Sequence, residues 1–156
     1  MARSTLQQEL RKKQPFELAE EEAGLNLLRT SESVQMPFDR LFAQHGISNP
    51  QYNVLRILRG HGGRGLPCTE ITDQMVSRMP DMTRLVDRHE KAGLVRRCRI
   101  AEDRRVVLIC ITPAGRELLA RLDQPVRDLH KETLGHLSRG ELAELSRLLV
   151  KARTPP

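Results

Sequence analysis

The fold is decided by residues 70–112, which read EITDQMVSRMPDMTRLVDRHEKAGLVRRCRIAEDRRVVLICIT. This stretch contains two short helical patterns joined by a tight break at residues 76–78. Pro80 lies near the start of the second pattern, where the missing N–H of proline costs no helical hydrogen bond. Gly93 follows that pattern, and glycine readily takes the left-handed conformation that ends helices. The sequence therefore predicts two helices separated by a short turn.

The second helical pattern has two different faces when residues are placed 100° apart. One face is mainly apolar and consists of Met82, Leu85, Val86 and His89. The opposite face is polar and carries Thr83, Arg84, Asp87 and Lys91, with Arg88 on its flank. In a DNA major groove, arginine donates two bonds to guanine and threonine meets a base edge. Ser77 and Arg78 precede this helix and are placed to hold phosphates, although each of these side chains has the alternative of simple solvation.

Two β-like runs, residues 94–100 and 106–112, flank the charged segment AEDRR. They predict a hairpin, and a hairpin that follows two helices joined by a short turn is typical of a winged helix-turn-helix. Arg104 and Arg105 lie at the hairpin tip, where they suit the narrow minor groove of DNA. We therefore expect a fold that is mostly α with a small β wing.

The composition agrees with a DNA-binding protein. Hydrophobic residues make up 38% and charged residues 29% of the 156-residue chain, which suits one domain, or one domain with appended helices. The net charge is +6, and residues 77–105 contain nine Lys and Arg against five Asp and Glu. A merely solvated basic surface is the alternative interpretation. Aromatic residues are only 3%, which argues against stacking platforms for single-stranded nucleic acid.

Other function classes lack sequence support. The chain contains no nucleophile elbow, Walker motif, dinucleotide fingerprint or zinc-protease motif, so we expect neither an enzyme nor a bound cofactor or metal. Its apolar runs are too short to span a bilayer and no signal peptide is recognisable, which predicts a cytoplasmic protein without a membrane partner. Cys98 and Cys110 are symmetric about Arg104 and are predicted to lie opposite each other in the hairpin. The two cysteines have two alternative interpretations: they are ordinary small residues of the strands, or they form a redox-sensitive pair.

The outer segments predict helices with clear starts. A long helix is expected over residues 17–44, with a kink or break just before Pro37. Ser48 predicts the cap of a second helix over residues 50–59. After the wing, Thr112 begins a third helix, and Ser138 with Glu141 forms a capping box for the last one.

The apolar stripes of residues 118–129 and 142–149 have little remaining chain to cover them. We therefore expect a homodimer. Its two recognition helices, which are the second helical pattern of residues 70–112 in each copy, should lie about 34–36 Å apart. The predicted organisation is an N-terminal arm and dimerisation helix (residues 1–47), a DNA-binding region (residues 48–112) and C-terminal dimerisation helices (residues 113–156).

The run MTRLVDRHEKAGLVRR, the tip EDRR and the following ITPAG resemble the MarR family of bacterial transcription regulators. The resemblance is continuous over residues 51–118 and departs from the family at His89, where leucine is usual. It implies that Arg105 enters the minor groove, that Asp87 and Asp103 brace the wing, and that Leu66 forms a one-residue strand. The Asp87 carboxylate needs a cation beside it, and the candidates are Arg84, Lys91 and a wing arginine. We read His89 as a core residue hydrogen-bonded to a carbonyl, with a pH switch as the alternative.

The resemblance also implies a function. The protein is expected to bind double-stranded DNA sequence-specifically at a palindromic operator, as a repressor relieved by a small anionic or phenolic ligand. The alternative is a dimeric winged-helix interaction module without specific DNA binding. The residues chosen for a ligand pocket, or else for an ordinary helix junction, are Phe38, Phe42, His45, Tyr52 and Arg56.

Overall fold

The structure is a computed structural model that describes residues 6–77, 81–99 and 106–154. The predicted class is confirmed, because the described residues are mostly helical and contain one two-stranded antiparallel sheet. The chain divides into two compact units, Met1–Phe38 and Asp39–Pro156. The elements are α1 (Leu6–Glu9), α2 (Ala19–Gln44), α3 (Asn49–Gly60), α4 (Cys68–Asp73), α5 (Met82–Lys91), β1 (Val95–Arg99), β2 (Val107–Ile111), α6 (Pro113–Leu134) and α7 (Arg139–Arg153).

The first unit contains α1 and most of α2. Arg29 of α2 forms an ion pair with Glu9 of α1 at 2.9 Å, and Leu6 is buried. Of the predicted kink or break before Pro37, the break is wrong, because α2 continues through this proline, and the kink stays a prediction. Proline removes one hydrogen bond from a helix interior, and the turns on both sides of Pro37 supply the remaining bonds of this 26-residue helix.

The predicted helix starts in the second unit are confirmed. The Ser48 side chain accepts a bond from the Gln51 N–H at 3.4 Å, and the Gln51 side chain accepts one from the Ser48 N–H at 2.9 Å. Ser138 and Glu141 form the same reciprocal capping box at the start of α7. Thr112 caps α6 by accepting the Gly115 N–H at 3.1 Å. These bonds satisfy backbone donors that lack a partner in the first helical turn.

The core of the second unit lies on α3 and α6. The fully buried side chains of α3 are Val54, Leu55 and Leu58, and α6 contacts this helix. The prediction that the stripe of residues 118–129 awaits a second copy is wrong for most of its length. Leu118, Leu122 and Val126 are already buried in the single chain. By contrast, no residue of α7 is buried, so its apolar stripe remains uncovered.

The wing hairpin pairs β1 with β2 in a register that joins Val95 to Ile111. Leu66 forms the implied one-residue strand through a bridge to Ile109, which confirms that prediction. The predicted cross-strand position of the two thiols is wrong, because Cys98 lies opposite Leu108 and Cys110 lies opposite Arg96. The register is displaced by two residues from the symmetric arrangement about Arg104. The cysteines are therefore diagonal neighbours on one face of the sheet.

Gly65 is required for the close approach of the Leu66 strand to the wing. A Cβ atom at this position would lie 2.7 Å from Cys110 Sγ and 2.8 Å from Leu108 Cβ. Any other residue would push the connecting loop away from β2. Gly65 therefore allows Leu66, in the loop after α3, to pair with β2 as a third strand of the wing.

Candidate nucleic-acid interface

Helix α5 is fixed at both ends by local chemistry. The Asp81 side chain caps its start by accepting the Arg84 N–H at 3.0 Å. Gly93 follows the helix with φ of +69°, the left-handed conformation predicted for it. The buried face is the predicted one and consists of Met82, Leu85, Val86 and His89. Burial of this face against α3, α4 and β1 leaves the opposite face of α5 pointing outward.

The outward face carries the predicted base-contacting side chains. Thr83, Arg84 and Arg88 are all exposed, and the side chain of Arg84 is 79% accessible. Arg84 lies 3.7 Å from Asp81 at the helix start, an exposed pair that holds it weakly. Ser77 is exposed in the turn that precedes α5. Thr83, Arg84 and Arg88 provide donors and a methyl group on the outward side of an α-helix, and an α-helix fits a major groove.

The acidic residue on this face has a defined partner. The Asp87 carboxylate lies 2.6 Å from the Arg97 guanidinium on β1, and Glu90 binds the same guanidinium. The hydrogen bond to Asp87 is the main cause that raises the pKa of Arg97. The prediction that Arg84, Lys91 or a wing arginine neutralises Asp87 is confirmed for the wing arginine, because Arg97 lies on β1, whereas the part played by Glu90 was not predicted. Asp87 and Glu90 are three residues apart and therefore lie on the same side of α5. This spacing could have indicated a shared cation on the strand that follows the helix.

The ion pair of Asp87 links the recognition helix to the first strand of the wing. Asp103, Arg104 and Arg105, the predicted wing-tip residues, lie outside the described residues, as does Arg78 in the turn. Their proposed contacts therefore remain predictions. The base of the wing, where β1 meets α5, is held by the charged contact and by buried Val95 and Ile111.

His89 is a core residue, as expected, and is fully buried. Neither ring nitrogen has a hydrogen-bond partner of normal geometry among the described residues, and the expected bond to a carbonyl is reduced to an interaction with the backbone of Gln51. Burial lowers the pKa of His89 to about 4, and the backbone of Gln51 opposes this shift only in part. The imidazole is therefore neutral at pH 7 and fills a position in the apolar face of α5.

A cleft of about 340 Å³ lies between α3 and α6, a volume within the range of small-molecule sites. We call it the α3–α6 cleft, and its lining consists of Tyr52, Asn53, Arg56, Arg59, Asp123, Val126, Arg127 and His130. The α6 residues recur at positions 123, 126, 127 and 130, which is the spacing of one helix face. The sequence analysis did not predict these α6 residues as part of a pocket, although their spacing could have indicated a shared face.

The charges of the α3–α6 cleft are unequal, because three guanidinium groups accompany one carboxylate. Arg59 donates two hydrogen bonds to Asp123, at 2.8 and 2.6 Å, and Arg56 approaches the same carboxylate at 3.5 Å. The hydrogen bond from Arg59 is the main cause that lowers the pKa of Asp123, with Arg127 contributing through its charge. Arg59 thus occupies both carboxylate oxygens, and the cleft keeps an excess of positive charge.

The predicted pocket residues are only partly brought together. The Phe42 and Tyr52 rings stack with centroids 4.3 Å apart, and Phe42 is almost fully buried. Burial raises the pKa of Tyr52, so its hydroxyl stays protonated at neutral pH. Tyr52 and Arg56 line the α3–α6 cleft, whereas His45 is exposed and Phe38 belongs to the first unit.

Comparison with known proteins identifies the family. A model of the MarR family matches residues 47–107, the region from the start of α3 to the wing. The transcriptional regulator PapX of Escherichia coli is 30% identical over 111 residues, which cover 71% of this chain and 68% of PapX. This chain belongs to the MarR family. Members are transcription regulators that bind DNA.

Solved structures agree with this assignment. A MarR transcription factor from Planctomyces limnophilus is 43% identical, with 86% of this chain and 98% of that chain covered and a TM-score of 0.66. A mutant MarR from E. coli, solved in complex with operator DNA, is 25% identical, with coverages of 83% and 91% and a TM-score of 0.74. No helix within the described residues is long and apolar enough to cross a membrane, and no metal-binding cluster occurs among them.

Proposed function

We propose that this MarR-family protein is a homodimeric repressor that binds a palindromic operator and is released from it by a small anionic or phenolic ligand. The observation that carries the DNA-binding part is the outward face of α5. Thr83, Arg84 and Arg88 are exposed there, and Arg97 neutralises the carboxylates of Asp87 and Glu90. Because these carboxylates are neutralised, this face can approach the phosphates of DNA without electrostatic repulsion.

Arg84 is the residue proposed to read a base. Its side chain is the most exposed of the ion-paired arginines in the described residues, and the Asp81 contact at 3.7 Å is too weak to retain it. A guanidinium in this position can donate to guanine O6 and N7, and phosphate contacts by Ser77 and Arg78 would fix its register. The wing tip, with Arg104 and Arg105, is proposed to occupy the adjacent minor groove.

The experiment is a comparison of one operator, selected from genomic fragments, with a scrambled duplex of equal length. Arg84→Ala should reduce operator affinity by roughly 5- to 150-fold and change scrambled-duplex affinity far less. Arg121→Ala removes an exposed arginine from α6 and is the matched control. Equal losses on both duplexes for Arg84→Ala would contradict base reading. Failure of the wild type to bind any duplex would instead support an interaction module.

The ligand part of the proposal rests on the α3–α6 cleft. Its positive excess suits a carboxylate or phenolate, and the half-buried Tyr52 ring offers an apolar surface for an aromatic ligand. Arg56 is the cation proposed to bind the ligand, because Arg59 is already held by two bonds to Asp123.

Salicylate and benzoate are suitable probes for this site. Titration by calorimetry should give binding to the wild type and a loss of about tenfold for Arg56→Ala, with Arg121→Ala unchanged. Binding must also be weaker in the presence of operator, since coupling between two sites is reciprocal. Equal ligand affinity with and without operator would contradict the regulatory role.

A further inference from the structure

Asn53 of α3 connects two parts of the second unit. Its side-chain oxygen Oδ1 accepts a hydrogen bond from the backbone N–H of Val76 at 2.9 Å. Val76 lies in the turn between α4 and α5, and its own side chain is 89% exposed. The apolar side chain of Val76 therefore contributes little to anchoring this turn. The bond from Asn53 attaches the turn to α3, a helix whose buried face belongs to the core.

The same Asn53 side chain lines the α3–α6 cleft, one helical turn from Arg56. A carboxamide has one acceptor oxygen and an NH₂ group with two donors. Because Oδ1 accepts the Val76 N–H, the opposite end of the group supplies donors. A carboxylate held by the cleft arginines would be an acceptor for those donors. Asn53 thus offers its oxygen to the turn and its NH₂ group to a cleft anion.

We propose that Asn53 is a positioning residue through which occupancy of the α3–α6 cleft changes the turn that precedes the recognition helix. This inference rests on the proposed ligand response and adds the contacts through which a bound ligand would act on DNA binding. Without ligand, Asn53 holds Val76 and so places Ser77 and the start of α5. An anion that recruits the Asn53 NH₂ rotates the carboxamide away from Val76. The turn then loses its attachment to α3, and the DNA-bound geometry becomes less populated.

Thermodynamic linkage gives this route a second consequence. Operator binding orders the turn and retains the Asn53 bond to Val76, so the carboxamide is less available to a cleft anion. The anion therefore binds less tightly to the DNA-bound protein by the same factor as it weakens operator binding. Asn53 is not needed for either ligand or DNA to bind at all, and its removal should reduce the coupling between them.

Two variants separate the two ends of the carboxamide. Asn53→Ala removes both the acceptor and the donors. Asn53→Asp keeps an acceptor for the Val76 N–H, removes the donors and adds a negative charge to the cleft, so its benzoate ratio is measured at a benzoate concentration that saturates this variant. Asn49→Ala deletes the same amide from the first residue of α3 and is the matched control. Thermal unfolding of each variant verifies that the fold is retained.

The measurements are hydrogen exchange of the Val76 amide, operator affinity, and the ratio of operator affinities without and with benzoate. Asn53→Ala should exchange the Val76 amide faster and lose about fivefold to tenfold in operator affinity, the effect of one hydrogen bond. Its benzoate ratio should fall close to one. Asn53→Asp should restore Val76 protection and operator affinity, yet still show a benzoate ratio close to one.

Different experimental results would overturn this inference and the proposed ligand response. If Asn53→Ala folds normally and leaves Val76 exchange and operator affinity at wild-type values, the positioning role is overturned. If Asn53→Asp retains the full benzoate ratio, the route through the amide donors is overturned. If benzoate and salicylate bind no form of the protein, the ligand site is wrong, while Val76 exchange and operator affinity still decide whether Asn53 positions the turn.

Discussion

At the scale of single residues, His89 places a titratable ring where the MarR resemblance leads one to expect leucine. Its full burial and the missing partners of normal geometry leave two polar nitrogens in the apolar face of α5. Such atoms lose their bonds to water on folding and gain nothing comparable in return. The position therefore limits stability in a way that depends on pH.

The pH dependence has a definite sign. The pKa of His89 is about 4 in the folded chain, below its ordinary value of 6.5. Between these values the unfolded state binds more protons, so the free energy of unfolding falls as the pH is lowered through 6.5 towards 4. Urea unfolding at fixed protein concentration should show a loss of about 2 kcal/mol from this group between about pH 7 and pH 5.

His89→Leu should remove that part of the acid sensitivity. His136→Leu is a control, because this histidine is exposed before α7. A wild type that loses no more stability than His89→Leu over the same pH range would refute the prediction.

At the scale of elements, Arg97 joins helix α5 to strand β1 through two carboxylates. Arg97→Met should lower DNA affinity about tenfold on operator and scrambled duplex alike, because it leaves Asp87 and Glu90 facing phosphate. The free energy of unfolding should change by at most about 1 kcal/mol, because the Arg97 side chain is 35% exposed. Fluorescence anisotropy with both duplexes tests this.

The control for Arg97→Met is Arg147→Met. Arg147 holds Glu144 at 2.7 Å on α7, so this change also breaks one ion pair but lies outside the proposed DNA interface. Wild-type DNA affinity in Arg97→Met would show that the brace between α5 and the wing is not needed for binding.

At the scale of the whole molecule, the uncovered stripe of α7 predicts a dimer. Leu148 and Val150 are 47% and 48% exposed, and Leu142, Leu145 and Leu149 are only half-buried. Such a stripe on an amphipathic helix is covered by another surface in a stable protein. Light scattering at micromolar concentration should give twice the chain mass for the wild type and a monomer for Leu148→Lys.

A matched change for the dimer experiment is Val107→Lys on β2, which charges another exposed apolar residue without altering α7. It should remain a dimer. A monomeric wild type, or a dimeric Leu148→Lys, would remove α7 from the dimer interface.

A dimer with two DNA-binding surfaces also predicts a steep dependence of affinity on salt. If it makes about six phosphate contacts, operator affinity should fall on the order of 10³-fold between 50 and 200 mM salt. The preferred site should be a rough palindrome with half-site centres about ten base pairs apart. A flat salt titration would argue against the proposed contacts.

The sequence by itself determined the features that depend on neighbours a few residues apart. The caps at Ser48, Thr112 and Ser138 are local hydrogen bonds between groups three residues apart. The two faces of α5 follow from helical periodicity, and Gly93 ends the helix because of its own backbone freedom. These interactions have the same partners whatever the rest of the chain does, so they could be read before the structure.

Only the tertiary structure decided which distant surfaces meet. It supplied Arg97 as the partner of Asp87 and placed Cys98 diagonally to Cys110. It covered Leu122 within the chain and brought Asn53 to Val76 across 23 residues of sequence. The physical reason is that strand register and helix packing minimise exposed apolar area and unpaired polar groups over the whole fold at once. A residue pattern shows which side chains need an apolar contact or a charged partner. Only the packing of the whole fold decides which distant residues supply that contact.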